Sequence, residues 1–95
     1  MPKQESTIII ADTLRTLGHP LRVRMVELLV DKKELAVKEL CDLLDTEQSL
    51  MSHHLNHMKA RRLLEARRQG KNIFYSMKMP KAKELMRLLR AMEPA

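Results

Sequence analysis

The sequence predicts a mainly α-helical domain of five helices with a small two-stranded β-hairpin. Three observations lead to this prediction: apolar residues recur at helical spacing in several segments, a Gly-containing loop separates two strand-like segments, and cations gather around that loop. With 95 residues and an apolar fraction of 44%, the chain has the size and composition of one folded domain, spanning residues 1–95.

The first two helices are separated by Gly18. We expect residues 1–6 to fray and a helix with Leu14 on its apolar face to follow. Gly18 would end this helix in the left-handed conformation. Pro20 opens a second helix, since the first helical turn tolerates proline. A broad apolar stripe predicts that this second helix is largely buried; it comprises Leu21, Val23, Met25, Val26, Leu28, Leu29 and Val30.

A tight turn is predicted between the third and fourth helices. The third helix is expected over residues 37–44, after a charged turn at 31–34 and a brief edge strand at 35–37. Asp45 follows, and aspartate tolerates the left-handed region that a tight turn needs. The remaining expected ranges are 47–61 for the fourth helix, 63–68 and 73–77 for the strands, and Pro80 onwards for the last helix. Two helices joined by a tight turn and followed by a basic hairpin describe a winged helix-turn-helix.

The fourth helix has an outer face of neutral residues that can all form hydrogen bonds. Its inward stripe is Met51, Leu55 and Met58, whereas the outer face carries Gln48, Ser49, Ser52, His53 and Asn56. A solvated helix face would be rich in Glu and Lys, but base edges present donors and acceptors that amides, hydroxyls and imidazoles can pair with. The face therefore predicts groove reading; a plain polar helix surface is the alternative interpretation.

Cationic residues flank this neutral face. They are Lys59, Arg61 and Arg62 at the end of the helix and Arg67, Arg68 and Lys71 in the hairpin. The formal net charge of +6 likewise favours an anionic partner. Cations at the margins can bind phosphate while the face between them reads bases. The sequence therefore predicts a surface for double-stranded DNA, with Lys59, Arg67, Arg68 and Lys71 among its contacts.

Other functions find little support in the residues. His53 and His57 have an i, i+4 spacing that metal ligands use, but no Cys or carboxylate nearby completes a site, so no cofactor is predicted. The single cysteine, Cys41, cannot form an internal disulfide, and no apolar run approaches a membrane span, so a cytoplasmic protein is expected. Without a carboxylate pair, a nucleophile–base pair or a phosphate-cradling loop, no enzyme is predicted.

Three segments resemble the ArsR/SmtB family of bacterial and archaeal repressors, and the resemblance runs from Leu14 to Met77. Residues 14–22 are similar to the family's opening L-x-x-L-x-x-P-x-R segment, residues 48–55 to its recognition-helix motif, and residues 68–75 to its wing. The resemblance implies a homodimer formed by the first and last helices and repression relieved by an effector. It implies DNA contacts by Gln48, Ser49, Ser52, His53 and His54, with Arg68 and Lys71 in the wing.

The implied function is a homodimeric, sequence-specific transcriptional regulator that represses. Two recognition helices would enter successive major grooves, so the target should be an imperfect inverted repeat. His54 borders the apolar face, where it would fix the helix or touch phosphate.

Departures from the family pattern concern its sensing sites. Arsenic-sensing relatives carry two cysteines where this chain has Ala36 and Lys38, and zinc-sensing relatives carry Asp and His ligands on the last helix, where residues 81–92 have neither. Arg62 replaces a glycine common after the recognition helix. Two alternative functions share the fold: a metal- or thiol-redox-responsive sensor, with Cys41 as the thiol, and a protein-interaction module.

Overall fold

Five helices and a small antiparallel sheet make up the fold. The computed structural model describes residues 3–94, with the elements α1 (Lys3–Leu17), α2 (Pro20–Lys32), β1 (Glu34–Ala36), α3 (Val37–Leu44), α4 (Gln48–Ala60), β2 (Leu64–Gln69), β3 (Asn72–Met77) and α5 (Ala82–Ala91). The predicted mainly α-helical, winged helix-turn-helix fold is confirmed. The sheet has three strands rather than two, because β1 pairs with β3 beside the hairpin.

The hairpin of β2 and β3 forms the wing. Strand β3 is central, in the order β1-β3-β2, and Tyr75 on β3 lies opposite Leu35 on one side and Ala66 on the other. Gly70 and Lys71 form its two-residue loop. Gly70 has a φ of 63° and Lys71 has a negative φ, which is the pattern of a type II′ turn. The glycine therefore serves the turn at the tip of the wing.

A single apolar core lies between α2, α3, α4 and the sheet. Its buried members are Met25, Val26, Leu29, Leu35, Leu40, Met51, Leu55, Met58, Leu63, Leu64 and Tyr75. The predicted inward stripe of α4 is confirmed. The predicted stripe of α2 is buried at Met25, Val26 and Leu29, and its other members are half-buried. Methionine fills irregular gaps readily, which suits a core with one buried aromatic ring among its described members.

The start and the end of α1 both differ from the prediction. The helix begins at Lys3, so the prediction of fraying over residues 1–6 is wrong for residues 3–6; residues 1 and 2 lie outside the described part of the chain. The first turn is rich in strong helix formers, and Glu5 suits the positive end of the helix dipole. Gly18 ends α1 without a left-handed backbone. A glycine is favoured at this position for a steric reason, because an added Cβ would lie only 3.2 Å from the Leu14 carbonyl oxygen.

The other boundaries are set by residues with positive φ. Asp45 adopts the predicted left-handed conformation, with φ 47° and ψ 54°, and its N–H donates to the Cys41 carbonyl. The predicted turn at 31–34 is partly wrong, because α2 continues through Lys32 and is capped by Lys33, which has φ 71°. The last helix begins at Ala82 rather than at Pro80.

Candidate nucleic-acid interface

Helix α4 presents two chemically distinct faces. Met51, Leu55 and Met58 have no solvent exposure, and they anchor the helix in the core. The outer face carries Gln48, Ser49, His53, Asn56 and Lys59, which are exposed, and Ser52, which is half-buried. Because these side chains contribute little to the core, most of their donors and acceptors can pair with an external partner.

The entry to α4 is held by short polar contacts. The left-handed turn at Asp45 redirects the chain after α3, and Glu47 in extended conformation precedes the first turn of α4. The Ser49 hydroxyl donates to the Glu47 carboxylate at 3.0 Å. Ser49 therefore lies on the predicted face, although its hydroxyl already has a partner within the protein.

A groove of about 370 Å³ brings the start of α4 and the tip of the wing onto one surface. Gln48 from α4 and Lys71 from the wing both line it. Lys38 at the start of α3 lines it as well, although the sequence analysis did not predict this cation as a DNA contact. In a helix-turn-helix the first helix crosses the DNA backbone. A lysine on the helix before the turn could therefore have been predicted as a phosphate contact.

The three cations of the wing have different surroundings. Arg68 and Lys71 are exposed on the hairpin. Arg67 instead reaches across β3 to Glu34, with Nη2–Oε1 and Nε–Oε2 distances of 2.7 and 3.1 Å. Its guanidinium also lies 4.9 Å from the centroid of the Phe74 ring. The hydrogen bonds between Arg67 and Glu34 lower the pKa of Glu34 and raise that of Arg67. Because Arg67 lies on β2 and Glu34 on β1, this pair braces the wing.

The histidines of α4 have different surroundings. His53 is exposed, with its ring 5.6 Å from that of His54 and 6.4 Å from that of His57. His54 is only 5% exposed, and its Nδ1 accepts from Arg22 Nε at 2.9 Å. Of the predicted contact residues, His54 is thus the one that faces inward. The alternative stated for it, fixing the helix, suits this placement, and the sequence analysis missed its partner Arg22.

Residues 3–94 contain neither a metal-binding cluster nor a helix that could span a membrane. Within that range, His, Cys, Asp and Glu side chains nowhere gather in threes around a point that could hold a metal ion. Cys41 is half-buried on α3, and burial raises the pKa of its thiol, which lowers the thiolate fraction on which reactivity depends. None of the described helices combines the length and apolar character needed to cross a bilayer.

A second exposed surface is apolar and lies on α1 and α5. Its most exposed large side chains are Ile8, Ile9, Ile10, Leu14, Leu88, Leu89 and Met92. Leu14 and Leu89 line a shared hollow of about 200 Å³, which Val23 and Val26 of α2 line as well. Arg90 on α5 pairs with Glu27 on α2, and Arg61 at the end of α4 pairs with Asp12 on α1 at 3.3 Å. Ion pairs thus join both helices to the body while their apolar faces stay uncovered.

Known proteins have similar sequences and the same fold. The chain matches the model of the family described as "Bacterial regulatory protein, arsR family" over residues 19–66. It is 35% identical to the transcriptional repressor PagR of Bacillus anthracis over 83 residues, which are 87% of this chain and 83% of PagR. The crystal structure of PagR matches with a TM-score of 0.82 at 34% identity, covering 92% of this chain and 99% of the other. NolR from Sinorhizobium fredii matches with a TM-score of 0.84 at 30% identity, covering 98% and 92%.

The fold and the exposed polar helix define a class: winged helix-turn-helix regulators that act on DNA. Within that class, the chain belongs to the ArsR family of transcriptional regulators, as its motifs predict. It is therefore a DNA-binding transcriptional regulator and not an enzyme. The comparisons do not favour the protein-interaction module.

Proposed function

We propose that this regulator is a repressor that binds an imperfect inverted repeat as a homodimer, with α4 of each protomer in a major groove. The observation that carries the proposal is the outer face of α4, where exposed neutral side chains stand beside a cationic wing. Amides such as those of Gln48 and Asn56 can form paired hydrogen bonds with adenine, and hydroxyls such as that of Ser52 pair with several bases.

Cations around that face would bind the phosphate backbone. Lys38 and Lys71 border the groove that Gln48 lines, while Lys59 and Arg68 lie on α4 and on the wing. Such contacts set register and orientation, whereas the side chains between them select sequence. Arg67 contributes differently. Its hydrogen bonds to Glu34 stiffen the wing, and its guanidinium would bind phosphate only when it leaves Glu34.

The uncovered faces of α1 and α5 support dimerisation. Contiguous apolar surface of this kind marks an interaction site in a folded protein. Two-fold symmetry would let the same surface on two copies cover itself, and it would place two α4 helices on one side of DNA. Their separation should be about 34 Å, one turn of the duplex. A regulator of bacterial or archaeal genes would meet this DNA in the cytoplasm.

Selection of bound duplexes from a random pool tests the proposal. We expect recovery of an imperfect inverted repeat with half-site centres about 10 base pairs apart. The mass of the complex should correspond to two chains per duplex. Recovery of no preferred sequence, or of a single half-site bound by one chain, would overturn the proposal. Repression is tested separately, by placing the selected site in a promoter and measuring transcription with and without the protein.

A further inference from the structure

Arg22 is a buried cation that receives no carboxylate. Its side chain is 7% exposed, yet it takes part in none of the ion pairs formed within residues 3–94. Its guanidinium instead donates to the Thr16 carbonyl at 3.1 Å and to His54 Nδ1 at 2.9 Å. A third contact joins Nη2 to His57 Nδ1 at 2.7 Å. A buried charge is costly unless its hydrogen bonds are satisfied, so these acceptors are what permit Arg22 to lie here.

These contacts attach the recognition helix to the body of the protein. Arg22 lies on α2, Thr16 near the end of α1, and the two histidines one turn apart on α4. His54 and His57 are next in sequence to His53 and Asn56, which lie on the outer face of α4. A shift or rotation of α4 at this point would therefore move that outer face relative to the wing.

The chemistry of the contacts requires both rings to be neutral. A guanidinium has only donors, so each Nδ1 must offer a lone pair, and the proton of each ring must be on Nε2. Protonating either ring would replace an acceptor with a donor that faces a donor. It would also place a second positive charge within 3 Å of the first, in partly buried surroundings where screening is weak.

We propose that Arg22 is a positioning residue for α4 and that it acts only while His54 and His57 are neutral, so that mild acid releases the recognition helix from DNA. This inference rests on the proposed function, because it concerns how the same surface is held. Protonation of His54 or His57 is the signal, and the orientation of α4 is the property that it changes.

The surroundings of the two rings favour their neutral forms. The charged and titratable groups facing them are Asp12 from α1, His19 from the α1–α2 loop, Arg22 from α2, His53 from α4, and Arg61 directly after α4. Burial, followed by the charge of Arg22, lowers the pKa of both His54 and His57. Only Asp12 opposes this for His57, and Asp12 is itself paired with Arg61.

The sign of the pH effect follows from those lowered pKa values. The unfolded or released state binds protons more readily than the state in which Arg22 holds α4. The attachment of α4 is therefore complete above the ordinary histidine pKa of about 6.5. It is lost as the pH falls through the lowered pKa values. Simply adding positive charge to the DNA-binding surface would have the opposite effect, because it strengthens phosphate binding. A loss of affinity in acid therefore points to the contacts of Arg22 with His54 and His57.

The test measures affinity for the selected duplex by fluorescence anisotropy between pH 7.5 and 5.0 at constant ionic strength. We expect the affinity to fall, approaching about tenfold per pH unit for each ring below its pKa. Far-UV circular dichroism should show that the chain stays folded over the range in which affinity is lost. An affinity that stays constant or rises in acid overturns the proposal, and so does global unfolding over the same range. Absence of specific binding at pH 7.5 would instead count against the proposed function.

A double variant, His54→Asn with His57→Asn, removes the proton input. The amide oxygen of Asn can occupy the place of Nδ1 and accept from Arg22, but it does not protonate in this range. The ratio of its affinities at pH 7.5 and 5.0 should be close to one, whereas His53→Asn should keep the loss in acid. A double variant that retains the wild-type ratio overturns the proposal.

Nitrogen NMR of the wild-type imidazoles provides a measurement that depends on no variant. At pH 7.5 both rings should carry their proton on Nε2, and both should titrate where the affinity falls. A fall in affinity while both rings remain neutral would contradict the proposal.

Discussion

Replacing Leu88 with alanine should weaken the dimer that the apolar surface of α1 and α5 is proposed to form. Leu88 lies on α5 and is 62% exposed in the single chain, so most of its side chain is available for burial by a second copy. Its truncation removes methyl groups from the proposed interface and leaves the core of the protomer intact. The expected result is a dimer that dissociates at higher protein concentration.

The magnitude follows from the exposed fraction. Burying a whole leucine side chain is worth roughly 1.5–3 kcal/mol, so covering the exposed part of Leu88 is worth about 1–2 kcal/mol. A two-fold interface contains the residue twice, which doubles the loss, and alanine keeps its Cβ, which favours the lower end. We therefore expect a loss of about 2 kcal/mol, or about a 30-fold rise in the dimer dissociation constant.

Sedimentation equilibrium over a range of protein concentrations measures this constant directly. The matched control is Leu43→Ala, which truncates a leucine that is 51% exposed on α3, away from the proposed interface. This control should leave the dissociation constant unchanged. If Leu88→Ala has no effect, or if Leu43→Ala has the same effect, the placement of the dimer surface is wrong.

Three further predictions concern the turns and the wing. Gly70→Ala should lower the free energy of unfolding in urea by about 1 kcal/mol, because φ 63° strains any side chain even where space is open. Arg62 has φ 61°, so Arg62→Gly should be more stable than Arg62→Ala by about 1 kcal/mol; equal stabilities would refute this. Because the pKa of Glu34 is lowered by Arg67, their pair should protect wing amides from hydrogen exchange above the ordinary glutamate pKa of about 4.3 and lose that effect in stronger acid. Glu34→Gln should remove this acid-dependent protection, and its persistence would refute the brace.

Local patterns predicted the features that depend on local chemistry. The inward stripe Met51, Leu55 and Met58 follows from helical periodicity alone, and all three residues are fully buried. Asp45 at the turn and Gly70 in the hairpin were likewise predictable, because few residue types tolerate positive φ. The glycine common at the position of Arg62 has the same physical origin, since the backbone there is left-handed.

Features that depend on distant partners were not predictable from such patterns. Arg22 is separated from His54 by 32 residues and from His57 by 35, so no local pattern indicates that they meet. His54 looks like one more polar residue beside the reading face until its burial is known. Gly18 presents a similar case, because the sequence indicates a helix end but not whether space or a left-handed backbone requires the glycine.

The central claim is that the outer face of α4 reads bases while the cations around it bind phosphate. Gln48→Ala and Lys71→Ala test this most directly, because both residues line the same groove but have different proposed roles. Their affinities should be measured on the selected duplex and on a scrambled one at several salt concentrations. Gln48→Ala should lose about 1–3 kcal/mol on the selected duplex only, whereas Lys71→Ala should weaken both duplexes alike and reduce the salt slope by about one. Equal losses on both duplexes for Gln48→Ala would contradict the claim.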